Sequence, residues 1–149
     1  MFLTNAVLSN RINSTAIRNT FKAYERLKRE QHIDTLFRTG KAFSVFPLKF
    51  IYQAVPRGAE PSPVRVGFSV PKKKHRLSVT RHRIRRLMAE AWRLQKQELY
   101  PAIPEDTQIQ LFILYTDTTA NPTQEQVMKA VLKGMGKLKT AINPQVEPS

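Results

Sequence analysis

Apolar positions recur along this chain in two periods, and the switches between them mark its elements. Between Arg29 and Thr39, Ile33, Leu36 and Phe37 fall at i, i+3 and i+4, the spacing of one face of a short helix. Gly40 follows, where a left-handed residue would end that helix. Leu48–Val55 and Val64–Pro71 read as strands. In the second, Val64, Val66, Phe68 and Val70 alternate with Arg65, Gly67 and Ser69, a period of two with one buried face. The connection Pro56-Arg-Gly-Ala-Glu-Pro-Ser-Pro63 is turn chemistry and predicts a hairpin between them. Ser78 to Tyr100 is a long helix of good helix formers stopped by Pro101. Thr107–Tyr115 is a third strand, and a last helix runs from about Thr123 to Thr140 with Val127, Ala130, Val131 and Leu138 inward. The expected order is α-β-β-α-β-α.

The ends differ from this middle. Residues 1–20 are rich in Asn, Thr and Ser, hold two Arg and no acid, and read as a flexible extension. A lesser reading of the same composition is a mitochondrial transit peptide. Met1 to Leu8 is too short and too interrupted for a secretory signal core. Residues 142–149 carry two prolines and read as a disordered tail. One globular unit is therefore expected over 21–141.

Composition sharpens the picture. The 149 residues are 41% hydrophobic, enough for one compact core, with no apolar stretch long enough to span a bilayer. The absence of cysteine rules out disulfides, thiolate metal sites and a cysteine nucleophile. Twenty-five Lys and Arg against eleven Asp and Glu give a net charge of +14, a field that attracts polyanions, nucleic acid first. The charge is concentrated. From Pro61 to Ala89 there are nine Lys or Arg and no acid, whereas a surface built for solubility alone intersperses both signs.

On a wheel of 100° per residue, the long helix separates its faces. Ile84, Leu87, Met88, Ala91, Leu94 and Leu99 cluster on one arc, and His82, Arg85, Arg86, Arg93 and Lys96 on the other. Arg81 and Arg83 flank both arcs in the first turn. Arginine suits such a stripe because its planar fork grips phosphate oxygens through two parallel hydrogen bonds. Cations at a helix N-terminus oppose the macrodipole, and a phosphate landing among the free N–H groups reverses that sign. The alternative, an ordinary solvated basic helix, explains the missing acids less well. No nucleophile–base pair, metal-spaced His/Asp/Glu set or Gly-rich phosphate loop is present in the sequence. Asp106 and Asp117 flank the third strand and suit turn or cap roles.

The run Val66-Gly-Phe-Ser-Val-Pro-Lys-Lys-Lys74, then Arg81-His-Arg-Ile-Arg-Arg-Leu87 and Glu90-Ala-Trp-Arg93, resembles the signature of the bacterial ribonuclease P protein subunit. Leu27-Lys-Arg, Ile33, Leu36-Phe37 and Gly40 match upstream, so the resemblance covers roughly residues 24–140. Two positions depart from the family pattern: His82 stands for an asparagine, and Ala89 where a basic residue is common. The resemblance implies an α+β fold, a single-domain α/β sandwich with a mainly antiparallel sheet and a β-α-β crossover, left-handed in the family. It also implies a protein that binds a catalytic RNA and the 5′ leader of precursor tRNA, in the cytoplasm, while the RNA performs the endonucleolytic step. Lys72, Lys73, Lys74, Arg76, Arg81, His82, Arg83, Arg85, Arg86 and Arg93 would face RNA. Phe37, Tyr52 and Ile33 would line the leader cleft, where an aromatic stack is worth about 1–3 kcal/mol; Phe50 and Phe68 read as core. Mg2+ is expected mainly on the RNA, with no protein metal motif.

Three rivals share parts of this pattern. A ribosomal or other structural RNA-binding protein would share the charge without a role in cleavage. A DNA-binding module would want helix-turn-helix spacing or zinc ligands, which are missing. A membrane-surface helix would want its apolar face unoccupied, and here strands are available to cover it. Neither DNA nor membrane is an expected partner.

Overall fold

The computed structural model describes residues 23–27 and 30–142. The expected extension over 1–20 lies outside them, as does the expected tail apart from Ile142. Helix α1 (Glu30–Thr39) is followed by strands β1 (Lys41–Val45), β2 (Leu48–Pro56) and β3 (Val64–Ser69), helix α2 (Ser78–Gln95), strand β4 (Thr107–Tyr115) and helix α3 (Gln124–Ile142). The strands make one mixed sheet in the order β1-β2-β4-β3. The class is α+β, as expected, with β3–α2–β4 as the crossover.

The expected β2–β3 hairpin does not form. β4 lies between those strands, antiparallel to β2 from Leu48↔Tyr115 to Pro56↔Thr107 and parallel to β3 from Val64↔Ile109 to Ser69↔Leu114. Burial is the reason: most β4 side chains are buried, the signature of a central strand. The 57–63 connection instead arches past the start of β4, where the Arg57 N–H donates to Asp106 O (2.9 Å) and the Ile109 N–H to Pro63 O (2.8 Å). The hairpin partner of β2 is β1, across the cis Phe46–Pro47 bond. This strand escapes a reading of hydrophobic alternation because only Val45 in it is buried.

Period-two alternation sorts the sheet into faces. Phe50, Val66, Leu111 and Ile113 turn toward α2 and α3, meeting Ile84, Met88, Trp92, Val131 and Met135 in the main core. On the other face Phe112 joins Leu36 and Leu27, with Ile33, Ile51 and Leu114 packed around them. All four expected inward residues of α3 are buried. Gly134 allows α3 to lie this close, since a Cβ there would sit 2.2 Å from the Phe50 ring. Gly40 differs from expectation. Its backbone is not left-handed; glycine is required because a Cβ would stand 2.5 Å from Leu36 O.

Helix α2 buries Ile84, Met88, Ala91 and Trp92, but it ends at Gln95 and leaves Leu94 40% exposed. Two short 3-10 turns follow, Lys96–Glu98 and Tyr100–Ala102. The tighter winding takes Lys96 off the cationic arc and into the interior, 4% exposed, where Nζ meets Glu25 Oε1 at 2.7 Å. The Tyr100 hydroxyl donates to the same oxygen at 2.7 Å. Burial first, and then this hydrogen bond, pushes the Tyr100 phenol well above its ordinary range. Glu25 thus anchors the Ala23–Glu25 turn, after which Arg26 bridges Val66 and the Leu27 N–H donates to Val66 O (3.0 Å).

Candidate nucleic-acid interface

The chain leaves β3 at Ser69 and folds at once into a tight turn, in which the N–H groups of Lys74 and His75 both donate to Pro71 O (3.3 and 3.2 Å). Lys72, Lys73 and Lys74 are exposed on it. His75 turns inward: its Nε2 is hydrogen-bonded with Asp117 O at 2.7 Å and its ring lies 5.4 Å from Tyr115. Helix α2 then starts without a side-chain cap and without an acid in its first turn. Its leading amides are open to an anion.

The ten sequence-predicted RNA-facing residues divide into two groups. Lys74 Nζ donates to Thr116 O, and Arg83 Nη2 donates to Ala120 O and to Asn121 Oδ1, the latter at 2.6 Å. With His75, and with the Tyr115 hydroxyl donating to Thr119 O (2.8 Å), they fasten the 116–122 loop against the start of α2. Burial, chiefly, pushes the Tyr115 phenol up to about 12. Arg81 Nη1 donates to His75 O (2.9 Å) and Arg76 O (2.8 Å), bracing the lysine turn. Arg93 makes a two-pronged pair with Glu90, at 3.0 and 2.5 Å. Their hydrogen bond holds the Glu90 carboxyl below, and the Arg93 guanidinium above, its usual range.

Six residues remain: Lys72, Lys73, Arg76, His82, Arg85 and Arg86. All are exposed except the half-buried Arg85, and among the described residues none of their side chains makes a hydrogen bond or ion pair. One group shapes the surface; the other is available to bind.

The expected cleft residues do not all meet. Phe37, 49% exposed on α1, packs edge-on against Phe112 with ring centroids 5.3 Å apart, and Ile33 joins the same cluster. Tyr52 lies on the opposite face of the sheet, packed on the main core and 5.9 Å from Phe43. Alternation along β2 explains this, because Ile51 and Gln53 are the residues that turn toward α1. The Thr39 hydroxyl reaches Gln53 Oε1 at 3.4 Å. Phe112, Ile51 and Gln53 therefore share the α1 face with Phe37 and Ile33, and only the observed pairing with β4 assigns their side. Phe50 is fully buried and Phe68 half-buried on the main core, as expected. The row Lys49, Leu114 and Ser69 runs across the α1 face at the sheet end from which the lysine turn departs.

A model of the ribonuclease P family matches residues 21–139. The chain belongs to the ribonuclease P protein family. It is 41% identical over 86 residues to a ribonuclease P protein component of Porphyromonas gingivalis, covering 54% of this chain and 58% of that protein. It is 39% identical over 89 residues to that of Chlorobium phaeobacteroides, covering 58% and 61%. The matches thus span under two thirds of these relatives. Among solved structures, the RNase P protein of Staphylococcus aureus superimposes with a TM-score of 0.60 at 19% identity, over 82% of this chain and 100% of that one. The RNase P protein of Thermotoga maritima gives 0.58 at 17%, over 74% and 94%. At these identities the superpositions show the fold of the ribonuclease P proteins.

Proposed function

We propose that this chain is the protein component of a ribonucleoprotein ribonuclease P, binding the catalytic RNA through the start of α2 and the precursor-tRNA leader across the α1 face. The observation that carries the reading is the group of six unpartnered basic and imidazole side chains from Lys72 to Arg86, unopposed by acid and set beside uncapped helix amides. Lys74, Arg81 and Arg83 keep further donors for phosphate while bracing the surface. Arg93, paired with Glu90, contributes less. In this reading the RNA-binding unit is residues 21–141, acting in the cytoplasm. The protein positions RNA, and the endonucleolytic chemistry with its Mg2+ resides on RNA phosphates. Among the described residues no three His, Cys, Asp or Glu side chains converge to hold a metal ion. Asp106 and Asp117 stand at opposite ends of β4, and Asp117 Oδ1 accepts from the Thr118 N–H (2.8 Å).

Arg86→Ala is expected to weaken binding to the catalytic RNA and to flatten its salt dependence by about one phosphate contact. An unchanged slope would remove α2 as the docking face. On the α1 face, Phe37→Ala is expected to weaken binding of leader-bearing precursor by about 1–3 kcal/mol, the worth of one base stack, and to spare mature tRNA. Equal losses on both would mark Phe37 as packing for Phe112. Cleavage of precursor tRNA that does not respond to added protein would favour a structural RNA-binding role.

A further inference from the structure

We propose that a second groove, on the α3 side of the molecule, takes an unpaired RNA strand. It lies between the Phe46–Pro47 turn, the 116–122 loop and α3, and encloses about 620 Å3. One wall carries Lys129, Lys133 and Lys137, all exposed and four residues apart. Each such step advances about 6 Å along a helix axis, so the three ammonium groups form a ladder on the scale of successive backbone phosphates. The other wall carries Phe46, a residue 76% exposed. Grooves that hold single strands combine these two features: cations follow the backbone, and an aromatic face receives a base whatever its identity.

Acids near the groove are few. Glu125 pairs with Lys129 at 3.3 Å in a fully solvated setting, where such a pair is weak and a phosphate competes readily. Asp117 lies on the rim, and its carboxylate accepts from the Thr118 N–H. Lys133 faces no acid among the described residues, and Lys137 Nζ lies 5.8 Å from the Phe43 ring centroid.

The groove is also continuous with the α2 surface. Its floor includes the loop that Lys74, His75 and Arg83 hold in place, so a strand leaving the start of α2 crosses that loop and enters between Phe46 and the α3 lysines. It is separate from the α1 face, because α1 and α3 cover opposite sides of the sheet. The proposal extends the α2 reading, but its own support is Phe46 and the lysine ladder.

Photocrosslinking the whole chain to an unstructured oligoribonucleotide carrying 4-thiouridine, followed by tryptic mapping, tests it. Adducts are expected on the peptide spanning residues 42–49, which contains Phe46, and they are expected to persist in Arg86→Ala. Phe46→Ala should weaken binding of the same oligonucleotide about fivefold or more, with an unchanged melting temperature. Lys133→Gln should flatten the dependence of log affinity on log salt by about 0.7, whereas Lys41→Gln, an equal charge loss outside the groove, should leave the slope unaltered. Adducts confined to α1 and α2 would overturn the proposal, and so would equal slopes for the two lysine variants. Neither result bears on docking through Arg85 and Arg86, which the catalytic-RNA titration reads separately.

Discussion

Replacing Lys96 by methionine is expected to lower stability by about 3–5 kcal/mol, the usual consequence of stranding one partner of a buried ion pair. Glu25 and Lys96 are each 4% exposed and 2.7 Å apart, and with lysine gone the Glu25 carboxylate loses this buried cation while the Tyr100 hydroxyl still donates to it. For a domain of this size the melting temperature should fall on the order of 15 °C. The double variant Glu25→Gln, Lys96→Met removes both charges and should recover most of the loss, because the expense lies in burying a carboxylate without the Lys96 ammonium rather than in the missing contact. Thermal melts of the two variants decide the matter. A Lys96→Met protein that melts with the parent would mean that water reaches Glu25.

Gly134→Ala should be nearly as damaging, at about 3 kcal/mol, the upper end for overpacking. The added methyl would meet the Phe50 ring at 2.2–2.6 Å, and that ring is stacked on Phe43 with centroids 5.0 Å apart, so it has little room to turn. Helix α3 must then lift from the sheet. Gly136→Ala, two residues on, supplies the contrast. Nothing lies within 4 Å of a Cβ there, and the helix should gain about 0.5–1 kcal/mol from the lost chain freedom. Chemical denaturation of both variants should move their midpoints in opposite directions; a shared direction would mean that helix propensity, not contact with Phe50, governs the site.

Much of this architecture was legible because strong periodicity is a local property. The third strand matches β4 residue for residue, and the inward side of α3 follows from Val127, Ala130, Val131 and Leu138. Strand pairing is not local. The Pro- and Gly-rich 56–63 stretch looks like a hairpin turn from its own residues, and only competition for the centre of the sheet gives β2 and β3 a shared neighbour in β4. The separation of Tyr52 from Phe37 has the same root. Which side of β2 meets α1 depends on register with β4, so an aromatic one position away from the α1-facing side reads as equally suitable. Lys96 was misassigned because a uniform wheel continued past Gln95, where the winding tightens. The cationic stripe was visible from charge and helical spacing; its division into bracing and unpartnered members was not, since the carbonyls that Lys74 and Arg83 engage lie 37 to 42 residues away.

That long reach means that folding and recognition share side chains at the head of α2. A truncated peptide carrying the same arginines would lack the loop they grip and would present them in a different spatial order. Losses caused by changing Arg83 or Lys74 would merge a misplaced loop with a missing phosphate contact, whereas those at Arg86 or Lys73 would report contact alone. The two kinds of position should therefore tolerate different replacements: shape-preserving donors at the first, any cation at the second.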